Sequence, residues 1–164
     1  MHDLGSGLAF GSKALHHVQE FSISNLRAVP LELRKDIVLF DWWVHNMDRT
    51  LSELGGNPNL LWDQEARSLA VIDHNQAFDD SFNPVKFAGL HVFHADLPII
   101  FDDLVDRVAY ADRLAATIDE FDVACDNVPT EWWWVDDGVP TSFNRDLARE
   151  VLKRFNNDNF WRVA

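Results

Sequence analysis

Hydrophobic positions fall at helical spacing in several stretches of the chain, with short apolar runs set between them. From Leu31 onward, Leu33, Ile37, Phe40 and Val44 share one face of a 3.6-residue period, and Pro30 sits where a helix favours its first turn. The spacing predicts a helix from Leu31 to near His45. Residues 60–62 and 69–72 are short apolar runs flanking a polar segment at 63–68, which predicts a β-hairpin with Asp73 carried off the end of its second strand. Helical spacing returns after Pro98 through Leu104, Val108, Ala111, Leu114, Ala115 and Ile118. Pro129-Thr130-Glu131 opens a further helical segment through residues 132–134, ended by Asp137-Gly138. Ser142 or Asn144 then caps a last helix whose face includes Leu147, Val151, Leu152 and Phe155.

Between these elements the pattern is weaker. Residues 1–13 are rich in glycine and read as an entry loop, and residues 14–27 are irregular or extended. Residues 51–58 form a loop around Gly55-Gly56 and Asn57-Pro58. Residues 78–98 are read as mostly loop, with Pro84 and Gly89 as breakers. No repeat, low-complexity tract or linker divides the chain, so one domain over residues 1–164 is expected. The order is helix, loop, hairpin, then helices, a mainly α (α+β) fold.

Composition narrows the function classes. Hydrophobic residues make up 47% and charged residues 25%, values of a globular chain with a real core. Most of the seven Trp and twelve Phe are expected in that core. Fourteen Lys and Arg stand against 27 Asp and Glu, and a formal charge of -13 repels phosphate backbones, which argues against direct nucleic-acid binding. A basic protein partner or a compensating metal suits this charge better. The lone Cys125 suits a reducing compartment, the start lacks a signal-peptide pattern, and the apolar runs fall short of a membrane span; a soluble cytoplasmic protein is expected.

Candidate chemistry concentrates in DWWVHNMDRT, NPNLLWD and LAVIDHNQAF. Asp48, Asn57 and Asp73 stand there in the order used by protein-kinase-like phosphotransferases: an Asp for the attacking hydroxyl, an Asn in the same loop for metal, and a later Asp after a hairpin for metal on the nucleotide phosphates. Mg²⁺ takes oxygen ligands and is bound through few protein groups plus phosphate. Asn57 and Asp73 offer one amide and one carboxylate oxygen, and Asp48 orients or deprotonates the acceptor hydroxyl. Arg49 beside Asp48 is suited to pair with a carboxylate and fix the loop.

These three segments resemble the HipA-like kinase family, whose pattern runs approximately WV-x-N-x-DRT-x-x-NPNLL and then a hydrophobic strand ending in IDHG. GLAFGSKAL is similar to the family's FGSR segment, and VPTEWW to its late P-x-x-W helix start. The likeness runs from about Leu8 to Trp134 and covers only the carboxy-terminal lobe of the family fold. It implies a protein-kinase-like carboxy-terminal lobe with a short β-hairpin beside the catalytic loop. It further implies Asp48 as catalytic Asp with Arg49 beside it, Asn57 and Asp73 as metal ligands, and a cofactor site of Asn57, Asp73 and His74 for ATP and Mg²⁺. Two departures stand out. The family places its Asn five positions after the Asp, whereas here the gap is nine, with residues 53–56 resembling an insertion that a Gly-Gly bulge absorbs. The family's phosphate-covering loop and strand Lys have no counterpart, and 47 residues precede Asp48.

Other candidates read as structural. Gly5-Ser6-Gly7 and Gly11-Ser12-Lys13 fail the phosphate-loop template. His91-Val92-Phe93-His94, with His45 and His74, offers metal-capable nitrogens, but packed or hydrogen-bonded histidines are the better reading, with His74 the one that lines the site. Three consecutive Trp at 132–134 cannot all face one way on a helix, and Asp102, Asp103 and Asp106 read as a solvated helix face. Three functions stay open: a Ser/Thr protein kinase lobe in a split or toxin–antitoxin arrangement, with a protein partner supplying the amino-terminal lobe; a pseudokinase or protein-interaction module; and a metal-dependent phosphohydrolase. No direct nucleic-acid or membrane partner is expected.

Overall fold

The computed structural model describes residues 8–163; residues 1–7 of the expected entry loop lie outside them. Among these, α-helices are combined with two small antiparallel sheets. Strand β1 (Val18–Glu20) is followed by a 3-10 segment (Ile23–Ala28) and helix α1 (Leu31–Trp43). Strands β2 (Leu60–Asp63) and β3 (Ser68–Val71) form the expected hairpin. Helices α2 (Pro84–Leu90), α3 (Leu97–Asp102) and α4 (Leu104–Asp126) follow, then a second hairpin of β4 (Trp134–Asp136) and β5 (Val139–Pro140), and α5 (Arg145–Leu152).

Helix α1 is the central element. Ile37, Val38, Leu39, Trp42 and Trp43 are all buried, so the helix is enclosed on more than the single stripe expected. Phe40, placed on that stripe by its spacing, is 42% exposed because Val38, Leu39 and Trp42 face the core instead. Trp42 is ringed edge-on by Phe82, Phe87, Phe101 and Phe160, centroids 5.5–6.3 Å away. Its indole N–H donates to the Phe160 carbonyl at 2.9 Å, and that of Trp43 to the Leu152 carbonyl at 2.7 Å. Buried indoles need such acceptors, and here the partners lie more than a hundred residues away, tying the carboxy-terminal turns to α1. Arg154 closes the helix end, donating to the Trp42 and Trp43 carbonyls at 2.9 and 3.0 Å.

Ion pairs align α1 with α4. Lys35 meets Asp106 at 2.6 Å and Arg113 meets Asp36 at 2.7 Å, while the Tyr110 hydroxyl donates to Asp36 at 3.0 Å. The acidic run is therefore not merely a solvated face. Asp103 caps α4, accepting from Val105 and Asp106 backbone N–H at 2.8 and 3.3 Å, and Asp106 neutralises a buried lysine. On α4 itself Tyr110 and Leu114 are buried, whereas Leu104 and Val108, expected on the apolar face, are exposed.

Two further expectations are corrected, and a third, the irregular or extended stretch at 14–27, is made specific. The segment 78–98 carries α2, because Asn83 accepts from the Lys86 N–H at 2.9 Å and Pro84 occupies the first helical turn; Pro84 starts an element here and does not break one. Residues 132–134 pass from a short 3-10 turn (Thr130–Trp133) into β4, with Asp137-Gly138 as the hairpin turn and Gly138 at φ 73°. The ambiguous residues 14–27 contribute β1, which pairs with β2 and extends the hairpin to a three-stranded sheet. No helix among the described residues is long and apolar enough to cross a membrane.

Candidate active site

The loop that carries Asp48 begins where α1 ends. His45, at φ 58°, reverses the chain, and the Asn46 N–H returns to the Asp41 carbonyl at 2.9 Å. The His45 ring stacks on Phe82 at 4.3 Å. Asn46 is fully buried, with its amide donating to Asp41 Oδ1 at 2.8 Å. The loop thus leaves the helix along a fixed path, and Asp48 stands half-buried at its turn.

Asp48 and Asn57 are brought into direct contact despite the nine-residue gap. Asn57 Nδ2 donates to Asp48 Oδ2 at 3.0 Å, and Asn59 Nδ2 donates to the same oxygen at 2.9 Å. The intervening residues leave and return as a small closed loop. The Thr50 N–H donates to the Asn57 carbonyl at 2.8 Å, and Ser52 and Gly55 exchange backbone bonds at 3.0 Å. Gly55 takes φ 109°, and a Cβ on Gly56 would lie 2.9 Å from Leu51 Cα, so both positions require glycine. The extra residues are looped out, and the base of the loop is closed beneath Asn57.

Asn59 was not singled out from the sequence. It is buried at φ 47° and contacts Asp48 as closely as Asn57 does. Its signal is the second Asn of NPN, directly before an apolar strand and of a residue type that tolerates left-handed backbone.

Arg49 is fully buried. Its Nε donates to Asp41 Oδ2 at 2.6 Å, and its Nη1 to the carbonyl oxygens of Asn59 at 2.5 Å and of Pro58 and Ile72 at 3.3 Å. One guanidinium therefore gathers the end of α1, the start of β2 and the residue before Asp73. Enclosed in this way, Arg49 pairs with a carboxylate and fixes the loop, the role its place beside Asp48 suggests. Burial alone would raise the Asp41 pKa, but the His91 hydrogen bond and the Arg49 charge outweigh it and hold the carboxyl below its usual range.

Asp73 follows Ile72, whose N–H donates to the Asn59 carbonyl at 3.0 Å. With Leu60 opposite Val71, this register puts Asp73 at the same end of the hairpin as Asn57 and Asn59. Asp73 is exposed at φ 53° and makes no hydrogen bond to Asp48 or Asn57. His74 packs edge-on against Phe40 at 5.6 Å and lines a cleft of about 370 Å³ with Ile37, Trp43, Val71 and Leu114. Partial burial, with the Arg49 charge, pushes its pKa down.

The donor set suits a hard cation that brings most of its own ligands. Asn57 commits its amide nitrogen to Asp48, which leaves Oδ1 available, and Asp73 offers a solvent-facing carboxylate. A closed transition-metal site is not supported: among the described residues no group of three His, Cys, Asp or Glu is placed to hold a metal. His91 and His94 are hydrogen-bonded within the fold, as expected.

The chain matches the family model of the HipA-like kinases over residues 1–164, its whole length. No curated protein and no solved structure matches it.

Proposed function

Because the chain belongs to the HipA-like kinase family, which implies a kinase-related function and use of ATP, we propose that it is the phosphotransfer lobe of a Ser/Thr protein kinase. The observation that carries this reading is the convergence of two carboxamides on one oxygen of Asp48. Those bonds fix the carboxylate plane and leave Oδ1 to accept the proton of an acceptor hydroxyl. Asn57 Oδ1 and Asp73 are the groups that would hold Mg²⁺, which when bound neutralises phosphate charge. His74 borders the nucleotide side of the site. Arg49 keeps the loop, β2 and the approach to Asp73 in one frame, so Asp48 is presented without a conformational search.

We propose further that this is a protein-kinase-like carboxy-terminal lobe working with a phosphate-covering segment from a protein partner, in a split or toxin–antitoxin setting. The acidic balance of the chain favours a basic partner or substrate segment. Calorimetry of the purified chain with Mg²⁺-ATP, alone and with the product of the adjacent reading frame, tests the proposal. Magnesium-dependent binding lost in Asp73→Asn, and phosphate transfer to protein lost in Asp48→Asn, are expected. Absence of magnesium-dependent nucleotide binding in both settings would sink the kinase reading in favour of a protein-interaction module.

A further inference from the structure

We propose that His91 is a positioning residue of this site: as a neutral imidazole protonated on Nε2, it holds Asp41 against Arg49 and so fixes the loop that presents Asp48. The proposal deepens the kinase reading and rests on it for its functional meaning. The sequence leaves His91 as a packed histidine, but the structure gives each ring nitrogen a defined partner. Nδ1 accepts from the Phe93 N–H at 3.1 Å, so it carries no proton. Nε2 lies 3.0 Å from Asp41 Oδ2, an ionised acceptor, so it carries the hydrogen and donates.

Asp41 is thereby saturated. Oδ2 receives Arg49 Nε and His91 Nε2, and Oδ1 receives Asn46 Nδ2. All four side chains are buried, and a carboxylate there is held only by a full set of donors. The ring plane is fixed by stacking on Phe87 at 4.7 Å, and the His91 N–H closes α2 on the Phe87 carbonyl at 3.0 Å. The same segment grips the loop through its backbone, with Val92 N–H donating to the Arg49 carbonyl at 3.0 Å and His91 bridged to Thr50. Helix α2 thus supports the Asp48 loop twice, once by main chain and once through Asp41. Burial drives the imidazole toward its neutral form even beside Asp41, in keeping with this tautomer.

Nitrogen-15 NMR of the ring in the full chain reads the tautomer directly. His91 is expected with a protonated Nε2 and a bare Nδ1 at neutral pH. A ring protonated on Nδ1, or on both nitrogens, overturns the proposal without any variant. Two variants then separate positioning from packing. His91→Gln keeps a donor at the Nε2 position, whereas His91→Asn keeps the acceptor for Phe93 and cannot reach Asp41. The buried Asn59 side-chain amide should keep its exchange protection in H91Q and exchange about tenfold faster or more in H91N. A folded H91N with a parent-like Asn59 amide overturns the proposal. Mg²⁺-ATP binding is measured in parallel: a parent that binds none refutes the kinase reading and leaves the ring and amide readouts to decide this one. Where the parent binds, H91N is expected to weaken affinity about tenfold to a hundredfold, with H91Q close to the parent.

Discussion

Replacing Arg49 by Met tests the frame on which the site is built. Met fills much of the arginine volume but removes the charge at 2.6 Å from Asp41 and the donor shared by three carbonyls. Breaking a buried ion pair from one side costs about 3–5 kcal/mol, because the remaining charge stays desolvated. The carbonyls of Pro58, Asn59 and Ile72 lose a charged donor as well, so the upper half of that range is expected. One offset exists: Arg49 Nη2 is buried without a partner among the described residues, which makes the pair less than ideal. Against a typical domain stability of about 5–15 kcal/mol, R49M should remain folded but close to its limit. Urea unfolding at neutral pH reads the effect; with a slope of about 2 kcal/mol/M, the midpoint falls by roughly 2 M. Asp41→Asn in the R49M background should recover part of the loss, since the stranded charge disappears. A loss below about 1 kcal/mol in R49M with an unchanged slope, or no recovery in the double variant, would refute the pairing as the organising contact. In the parent, the folded Asp41 pKa lies below its unfolded value, so this stabilisation is present above about pH 4 and is lost as the pH falls through the folded value.

Burial lowers the His45 pKa from 6.5 to about 4, so the unfolded chain binds the extra proton first; stability should fall as pH drops from 6.5 toward 4, and His45→Asn, which tolerates the left-handed backbone, should flatten that slope in urea midpoints. Gly56→Ala forces a methyl against the Thr50 and Leu51 backbone, and a loss of about 1–3 kcal/mol, or a thermal midpoint lower by roughly 2–12 °C, is expected by calorimetry. Leu54→Ser, at a fully exposed position of the same loop, should stay within about 0.5 kcal/mol of the parent. Asn144→Ala removes the cap that accepts from Asp146 and Leu147 N–H, costing about 0.5–2 kcal/mol; no change in unfolding would remove Asn144 from the cap.

The central helix, the β2–β3 hairpin and the last cap were legible because each rests on local signals: Pro30, apolar runs around a polar turn, and an Asn before a periodic stretch. Strand β1 was not, since three residues with one half-buried position become a strand only when β2 is beside them. Which face of α1 is buried was equally hidden, because periodicity gives one stripe and a helix wrapped by distant turns is buried on several. In the site, Asp48 and Asn57 were readable as residues, and their contact across nine positions became visible only with the Thr50–Asn57 closure. Asn59 has only the faint signal of the second Asn in NPN and His91 has none; their roles come from partners 11 and 50 residues away.

The pairing of β1 with β2 has a consequence for folding. Glu20 lies opposite Leu61, so this contact closes a loop of about 40 residues, at an entropic cost near 3 kcal/mol plus a constant. The β2–β3 hairpin, with Asp63 opposite Ser68, has no such barrier and forms on its own in roughly 1–10 μs. Asp41, Asp48, Arg49, Asn57 and Asn59 all lie inside the larger loop. By the same scaling, the contacts of Asp48 with Asn57 and Asn59 close loops of about 9 and 11 residues and cost less chain entropy than the pairing of β1 with β2. Kinetic probes on Asn59 are expected to respond no later than probes on β1.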